Sequence, residues 1–130
     1  MPPPPLHADL EAKLAAYRTK RAFNAEEWIA KKTVRLNDYM QKAGLKACVT
    51  SISGGIDSAV TLALVAKAQK LEGSPIVENV GVCQPISSSG WALERGRENI
   101  KAHGAKEVVV DQTELHKSLQ GLVDTACGIE

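Results

Sequence analysis

Six consecutive residues near the middle of the chain, Ser53-Gly54-Gly55-Ile56-Asp57-Ser58, combine the residue types that a phosphate-binding loop requires. Adjacent glycines permit left-handed backbone angles and a close approach of the ligand to the main chain. A helix that begins directly after them presents unpaired N–H groups and a partial positive charge to an anion. Two serine hydroxyls add hydrogen-bond donors. The segment therefore predicts a cradle for the phosphates of a nucleotide.

The carboxylate of Asp57 would repel phosphates unless a cation lies between them. Mg²⁺ is commonly held by one or two carboxylates together with phosphate oxygens, which makes Asp57 a candidate magnesium ligand. The alternative interpretation is that Asp57 only caps and stabilises the first turn of the following helix. Of the two interpretations we favour the metal.

Two better-known phosphate-binding patterns do not fit these residues. The Walker loop requires a lysine directly after its second glycine, and no lysine follows Gly54 or Gly55 there. The dinucleotide fingerprint requires a third glycine, which is missing. An ordinary tight turn is the remaining alternative, and the position between a buried strand and a helix argues against it.

Hydrophobic periodicity predicts the elements that position this segment. In chain order, it predicts a helix that carries Leu6, Leu10, Leu14 and Tyr17, a helix from Asn24 to about Gly44, a strand over 47–52, a helix over 57–70, a strand over 79–83, a helix over 91–103, a strand over 107–110, and a last helix capped within 111–113. On the helix over 91–103 we expect Trp91 to pack and Arg95 to be exposed.

Strands that alternate with helices indicate a parallel sheet with right-handed crossovers. We therefore expect a three-layer α/β/α fold of the Rossmann-like type, preceded by two helices. In such sheets ligands bind beyond the carboxyl ends of the strands, which is where the glycine segment falls. Residues 1–5, which are rich in proline, are expected to be disordered, and residues 6–130 to belong to one domain.

The start of the second helix has a distinct signature. Asn24 can cap it, and Glu27 can reach back to complete a capping box. Phe23 and Trp28 occupy the two positions of a hydrophobic staple. Gly44 is well placed to end the helix.

Composition excludes several classes of protein. Sixteen basic and fifteen acidic residues leave a net charge of +1. A nucleic-acid-binding domain usually carries a clear excess of basic residues, so this class is disfavoured. No segment approaches the length needed to span a membrane. The three cysteines, Cys48, Cys83 and Cys127, have no metal-like spacing and indicate a reducing compartment. We expect a cytoplasmic protein with small-molecule partners.

The segment from Ser51 to Leu62 resembles NAD synthase, a family of the ATP-pyrophosphatase superfamily (the PP-loop or adenine nucleotide alpha hydrolase-like superfamily). The segment Phe23–Ile29 is similar to the lead-in helix of that family. Gln84-Pro85-Ile86-Ser87-Ser88, followed by a helix, is similar to its second nucleotide loop. The resemblance runs from about Asn24 to the end of the chain.

The resemblance implies an ammonia-dependent NAD synthase. In that reaction ATP adenylates deamido-NAD with release of pyrophosphate, and ammonia then displaces AMP. The implied cofactors are ATP and Mg²⁺, the metal is held by Asp57, and no covalent nucleophile is needed. The implied ATP- and pyrophosphate-binding residues are Ser51, Ile52, Ser53, Gly54, Gly55, Ile56, Asp57 and Ser58. Candidate adenine and ribose contacts are Gln84, Ser87, Ser88 and Ser89, while Cys83 stands where some members carry a basic residue.

The ends of the chain add further expectations from the resemblance. Residues 1–23 are too few for the amidase domain of glutamine-dependent members, so we expect free ammonia as the nitrogen source. The family's catalytic domain continues beyond the position of Glu130, so we expect a truncated domain. The edge of its loop-bearing strand should then be uncovered. The resemblance also suggests a homodimer.

Two alternatives remain open at this point. One is another adenylating enzyme, such as the ATP-binding part of a GMP synthase or a tRNA-modifying ligase, the latter disfavoured by the weak net charge. The other is a catalytically incompetent module that binds a nucleotide or serves in dimerisation.

Overall fold

The computed structural model of the protein describes residues 6–129, so the expected disorder of residues 1–5 falls outside the described part. In chain order, the elements are α1 (Ala8–Arg21), α2 (Ala25–Lys42), β1 (Ala47–Ser51), α3 (Ile56–Gln69), β2 (Glu78–Cys83), α4 (Gly90–Ala102), β3 (Lys106–Val109) and α5 (Thr113–Cys127). Every predicted helix and strand is present, with bounds shifted by at most a few residues. Among residues 6–129, no helix combines the length and the apolarity needed to cross a bilayer.

The three strands form one parallel sheet in the order β1-β2-β3. In register, Val49 of β1 lies beside Val80 of β2, and Val82 of β2 lies beside Val108 of β3. Helix α3 connects β1 to β2, and helix α4 connects β2 to β3. The sequence prediction of an α/β fold with a parallel sheet is therefore confirmed.

The described residues divide into two compact units, with the boundary between Lys32 and Thr33. The first unit contains α1 and the beginning of α2. The side chain of His7 accepts a hydrogen bond from the backbone N–H of Asp9 and so caps α1. No residue of α1 is buried within the described structure.

The beginning of α2 forms only half of the predicted capping box. The Oδ1 atom of Asn24 accepts a hydrogen bond from the N–H of Glu27 at 3.1 Å, as expected. The carboxylate of Glu27 does not return to Asn24, because it pairs with Lys31 one helical turn ahead. The rings of Phe23 and Trp28 lie 6.2 Å apart between centroids, so the predicted hydrophobic staple is present.

The second unit has its core on one face of the sheet. Helices α3 and α4 pack there on the strands and contact each other. The fully buried side chains include Leu62 of α3, Ile100 of α4 and Cys83 of β2. Gly81 of β2 lets α4 approach closely, since a Cβ atom at this position would lie 2.5 Å from the Cγ1 atom of Ile100.

The opposite face and the outer edge of the sheet are more open. The side chain of Val49 is 70% exposed, and Val80 and Val82 are only half-buried. Within residues 6–129, β1 pairs with β2 on one side and with no strand on the other. The expected uncovered edge of the loop-bearing strand is therefore present.

Candidate nucleotide-binding site

The glycine segment lies at the carboxyl end of β1, where the sequence pattern predicted it. The N–H of Ile52 donates to the carbonyl oxygen of Val82 at 2.8 Å, which continues the pairing with β2 one residue past the end of β1. Helix α3 begins at Ile56, with Gly55 in the extended N-cap conformation. We call residues Ser53–Ser58 the first loop.

The first loop is closed by hydrogen bonds among its own residues. The Oγ atom of Ser58 accepts from the N–H of Ser53 at 3.3 Å and donates to the carbonyl oxygen of Gly55 at 3.0 Å. The Oγ atom of Ser53 accepts from the N–H of Gly55 at 3.2 Å. The two serine Oγ atoms lie 3.2 Å apart. The hydrogen bonds that close the first loop therefore come from residues of the loop itself.

This arrangement leaves several donors for an anion. Because the Ser58 hydroxyl donates to Gly55, the hydroxyl hydrogen of Ser53 is the one that can most readily turn toward a ligand. The backbone N–H groups of Ile56, Asp57 and Ser58 have no hydrogen-bond partner among the described residues. Such first-turn groups project beyond the start of a helix and favour negative charge there.

Gly54 is the residue on which the loop conformation depends most. Its φ of +80° lies in the left-handed region. A Cβ atom at Gly54 would lie 2.5 Å from the carbonyl oxygen of Ala92, in the first turn of α4. Both the backbone angle and the close contact with α4 therefore require glycine at this position.

Asp57 is an exposed residue in the first turn of α3, and its carboxylate makes no hydrogen bond or ion pair within residues 6–129. Gly55 occupies the N-cap position and no side-chain hydrogen bond caps α3, so Asp57 does not cap this helix. Its carboxylate does lie in the first turn, where it can stabilise the helix electrostatically, so that part of the alternative stands. The described part of the chain contains no group of three or more His, Cys, Asp or Glu residues that could hold a metal ion. A single carboxylate beside a phosphate cradle fits Mg²⁺, which takes its other ligands from phosphate and water.

The predicted second nucleotide loop, Gln84–Ser88, borders the first loop. A cavity of about 160 Å³ lies between them and is lined by Ile52, Ser53, Cys83, Gln84, Pro85, Ser88, Ala92 and Leu93. The structure therefore brings Gln84 and Ser88 together with Ser53, as the adenine and ribose prediction requires. Ser87 and Ser89 do not line this cavity.

Ser87 and Ser89 instead shape the backbone of the second loop. Ser87 has a φ of +47°, and its N–H donates to the Oγ1 atom of Thr113 at 3.0 Å. Ser89 is the N-cap residue of α4, and its carbonyl oxygen accepts from the N–H of Ala92. Ser51 lies outside the cavity too, and its hydroxyl donates to the Oε1 atom of Gln84 at 2.8 Å.

Comparison with known proteins decides the family. The family model described as "NAD synthase" matches residues 28–119. The chain belongs to the NAD synthase family. It is 36% identical over 89 residues to the NH(3)-dependent NAD(+) synthetase of Alkaliphilus oremlandii, which covers 68% of this chain and 33% of that protein. The chain thus spans about a third of the length of this curated relative.

Solved structures of NAD synthetases have the same fold. The NAD+ synthetase from Burkholderia pseudomallei superimposes with a TM-score of 0.69 at 26% identity, over 80% of this chain and 38% of that one. The NH3-dependent NAD synthetase from Campylobacter jejuni gives a TM-score of 0.66 over 77% of this chain and 42% of that one. At 16% identity, the second likeness supports the fold alone.

In this member of the NAD synthase family, four residues that line the cavity were not predicted as site residues: Cys83, Pro85, Ala92 and Leu93. Ala92 and Leu93 reach the cavity only because α4 folds back over the first loop, and nothing in their local sequence signals this. Cys83 is buried, and both this burial and the nearby Glu107 carboxylate raise the pKa of its thiol, against a smaller opposite effect of Arg97. The cavity floor is therefore uncharged at Cys83.

The beginning of α4 differs from its prediction in one respect. Trp91 is 61% exposed, so the expectation that it packs against the protein is wrong. Its ring instead supports the guanidinium group of Arg95, which lies 5.6 Å from the ring centroid. Arg95 is exposed, as predicted.

Proposed function

We propose that this chain provides the ATP-binding part of an ammonia-dependent NAD synthase. The observation that carries the proposal is the first loop: a serine- and glycine-closed turn at the carboxyl end of β1, with unpaired N–H groups of α3 beside it, in a member of this family. In the proposed reaction, a carboxylate oxygen of deamido-NAD attacks the α-phosphorus of ATP and the α–β phosphoanhydride bond breaks. Ammonia then attacks the acyl carbon, loses a proton, and expels AMP.

The residues of the first loop would hold the β- and γ-phosphates, which leave as pyrophosphate. Ser53 donates its hydroxyl hydrogen, and the N–H groups of Ile56, Asp57 and Ser58 donate along the helix axis. Pre-positioned donors of this kind stabilise charge that develops on a leaving group without reorganising during the reaction. The chain needs no covalent nucleophile for this chemistry, because the substrate carboxylate is itself the nucleophile.

Asp57 would hold Mg²⁺ against the phosphates. Its exposed carboxylate has no partner within residues 6–129, so it is available to a cation. A cation held there would reduce the repulsion between the carboxylate of Asp57 and the phosphates.

The cavity between the loops would take the adenosine part of ATP. Ile52 and Leu93 give it apolar walls, while Gln84 and Ser88 offer polar groups for recognition. Ser87 and Ser89 support this role indirectly, by fixing the backbone that carries Gln84 and Ser88.

We extend the proposal to the partners of the whole protein: deamido-NAD as acceptor, ammonia as nitrogen donor, and a homodimer in the cytoplasm. The chain spans a minor part of its relatives' length. Residues outside this chain, or a second copy of it, would therefore have to complete the site for the acceptor.

Binding can be tested by titrating the chain with Mg-ATP while the backbone amide signals are followed by NMR. We expect the signals of residues 53–58 to shift, and Asp57→Asn to weaken the binding of ATP when Mg²⁺ is present. Asp38→Asn is the matched control, because Asp38 is an exposed aspartate on α2. If the signals of the first loop stay in place while the chain remains folded, the proposal is wrong.

Acceptor identity requires a separate assay. AMP release should depend on both deamido-NAD and ammonia, and xanthosine monophosphate should not replace deamido-NAD. In an assay of the protein with its acceptor site complete, ATP binding without AMP release for either acceptor would instead identify a nucleotide-binding module without ligase activity.

A further inference from the structure

The first loop has an imbalance of charge that its own residues do not correct. Residues 53–58 include the carboxylate of Asp57 and no basic side chain. The β- and γ-phosphates of ATP carry several negative charges, and one Mg²⁺ does not neutralise these charges and Asp57 together. Sites that bind phosphates usually add an arginine or a lysine, because charge-assisted hydrogen bonds are roughly twice as strong as neutral ones. A cation from another element is therefore expected beside the loop.

The structure places such a cation on α4. A second cavity, of about 200 Å³, adjoins the first loop and is lined by Ile52, Gly54, Gly55, Ile56, Ala59, Arg95 and Asn99. Arg95 and Asn99 stand one helical turn apart, so they face the cavity from the same side of α4. The cavity thus joins a guanidinium group to the glycines that would surround the phosphates.

Arg95 is free to bind an anion, whereas its neighbours are occupied. Arg97 pairs with Glu107 at 3.0 Å, and Lys106 pairs with Glu78 at 3.0 Å. Within residues 6–129, Arg95 has no carboxylate in ion-pair distance, and its guanidinium contacts the ring of Trp91. Contact with an aromatic ring restrains a guanidinium while leaving its N–H groups able to donate to phosphate oxygens.

Asn99 provides an independent sign of a missing ligand. Its Oδ1 atom is inaccessible to solvent and has no hydrogen-bond partner within the described residues. Buried polar atoms without partners are rare, because each loses its hydration without compensation. A water molecule bound to a phosphate group or to a hydrated ion in the cavity would supply that partner by donating a hydrogen bond to the Oδ1 atom.

From these observations we infer that Arg95 and Asn99 form the α4 half of the phosphate site. Arg95 donates to the β- and γ-phosphate oxygens, and the Oδ1 atom of Asn99 accepts from a water molecule bound to them. Both residues act on the part of ATP that leaves as pyrophosphate and not on adenosine. The inference deepens the proposed function and depends on it, because it assumes that the first loop binds ATP.

Calorimetric titrations of the chain with Mg-pyrophosphate and with AMP test this assignment. Arg95→Gln should weaken the binding of Mg-pyrophosphate by about tenfold or more, because a charge-assisted hydrogen bond is lost. The affinity for AMP should stay within about twofold of the wild-type value. Arg97→Gln is the matched control on the same helix, and we expect it to change neither affinity, since Arg97 is engaged with Glu107.

Two further variants separate charge from packing. Arg95→Lys keeps the positive charge and loses the planar fork, so its affinity for Mg-pyrophosphate should fall between those of the wild type and Arg95→Gln. Asn99→Asp replaces an amide by a carboxylate of the same shape. It should weaken the binding of Mg-pyrophosphate more than the binding of AMP. Thermal unfolding of each variant shows whether it is folded, and Arg95→Lys replaces Arg95→Gln in the comparison if the latter unfolds.

The outcomes distinguish this inference from the proposed function. If the wild type and Arg95→Gln bind Mg-pyrophosphate equally well, the proposed role of Arg95 is wrong, while the proposal that the first loop binds phosphates is unaffected. Equal losses for AMP and Mg-pyrophosphate also contradict it, because they indicate a general structural effect. If the wild type binds neither Mg-ATP nor Mg-pyrophosphate, the proposed function fails and this inference fails with it.

Discussion

The loops after β1 and β2 lie side by side at the carboxyl edge of the same sheet, but different parts of the chain hold them. The first loop is closed by bonds among Ser53, Gly55 and Ser58. In the second loop, Ser88 accepts from the N–H of Ile86, and the other bonds come from outside the loop. The Ser51 hydroxyl of β1 donates to Gln84. From the segment after β3, the Thr113 hydroxyl accepts from the N–H of Ser87, and the N–H of Gln112 donates to the carbonyl oxygen of Pro85.

This difference separates a locally specified half of the site from one specified by tertiary structure. A loop closed by its own residues has a shape that follows directly from its sequence. A loop anchored by distant residues takes its shape only when the sheet has assembled. The first loop should therefore respond mainly to changes within it, and the second to changes more than twenty residues away along the chain.

The largest effect is expected from Gly54→Ala. The added Cβ atom would lie 2.5 Å from the Ala92 carbonyl oxygen, and φ is +80°. Backbone strain and overpacking together should lower the free energy of unfolding by about 2–4 kcal/mol and abolish Mg-ATP binding. Denaturant unfolding and calorimetry measure the two effects.

Gly104→Ala is the control for Gly54→Ala, since Gly104 has a φ of +66° but nothing within 4 Å of an added Cβ atom. It should lower the free energy of unfolding by about 1 kcal/mol, from backbone strain alone, and leave ATP binding unchanged. If both variants lost the same free energy of unfolding, the contact of the first loop with α4 would contribute nothing to stability.

A moderate effect is expected from Thr113→Val, which removes the hydroxyl that accepts from the N–H of Ser87. The same hydroxyl also hydrogen-bonds to the Asp111 carboxylate, so the free energy of unfolding should fall by about 0.5–2 kcal/mol, the usual range for the loss of one or two exposed hydrogen bonds. The amide signals of Ser87 and Ser88 should move, while those of Gly54 and Gly55 stay in place. NMR spectra of the free chain provide the measurement.

Thr125→Val is the matched control for Thr113→Val, because among residues 6–129 the Thr125 hydroxyl bonds only to the Gly121 carbonyl within α5. It should leave the signals of both loops in place. Movement of the Gly54 and Gly55 signals in Thr113→Val would contradict the independence of the first loop.

The smallest effect is expected from protonation of Asp111 at low pH. Hydrogen bonds from the side chain and the N–H of Thr113 hold the pKa of Asp111 below its ordinary value of 3.8. Because the pKa is lowered in the folded chain, the stabilisation is present above 3.8 and is lost as the pH falls through the folded value. Acidification below this point should move the signals of Thr113 and Ser87 before those of Gly55.

Asp111→Asn should remove this acid response of the Thr113 and Ser87 signals without changing the positions of the first-loop signals at neutral pH. An acid response that persists unchanged in Asp111→Asn would assign the effect to another carboxyl group.

Sequence patterns predicted what depends on neighbouring residues. The first loop, the cap at Asn24 and the staple of Phe23 with Trp28 all involve contacts within a few positions, and all are present. The alternation of strands and helices likewise predicted the parallel sheet, because crossover rules leave few other arrangements.

Sequence patterns failed where two local partners compete or where distant elements meet. Glu27 could pair with the start of α2 or with Lys31, and only the structure shows that it pairs with Lys31. Trp91 was expected to pack because large apolar residues usually do, yet it lies exposed under Arg95. The contact of Ala92 with Gly54 joins residues far apart in sequence and had no local signal.

The side of β1 that faces away from β2 bears on how this chain behaves at high concentration. A strand with one unoccupied row of N–H and C=O groups can recruit another strand, and Val49 adds an apolar side chain to the same strand. Two copies joined there would form a continuous ladder across both sheets. Because such pairing joins two chains, dilution would favour the separate copies.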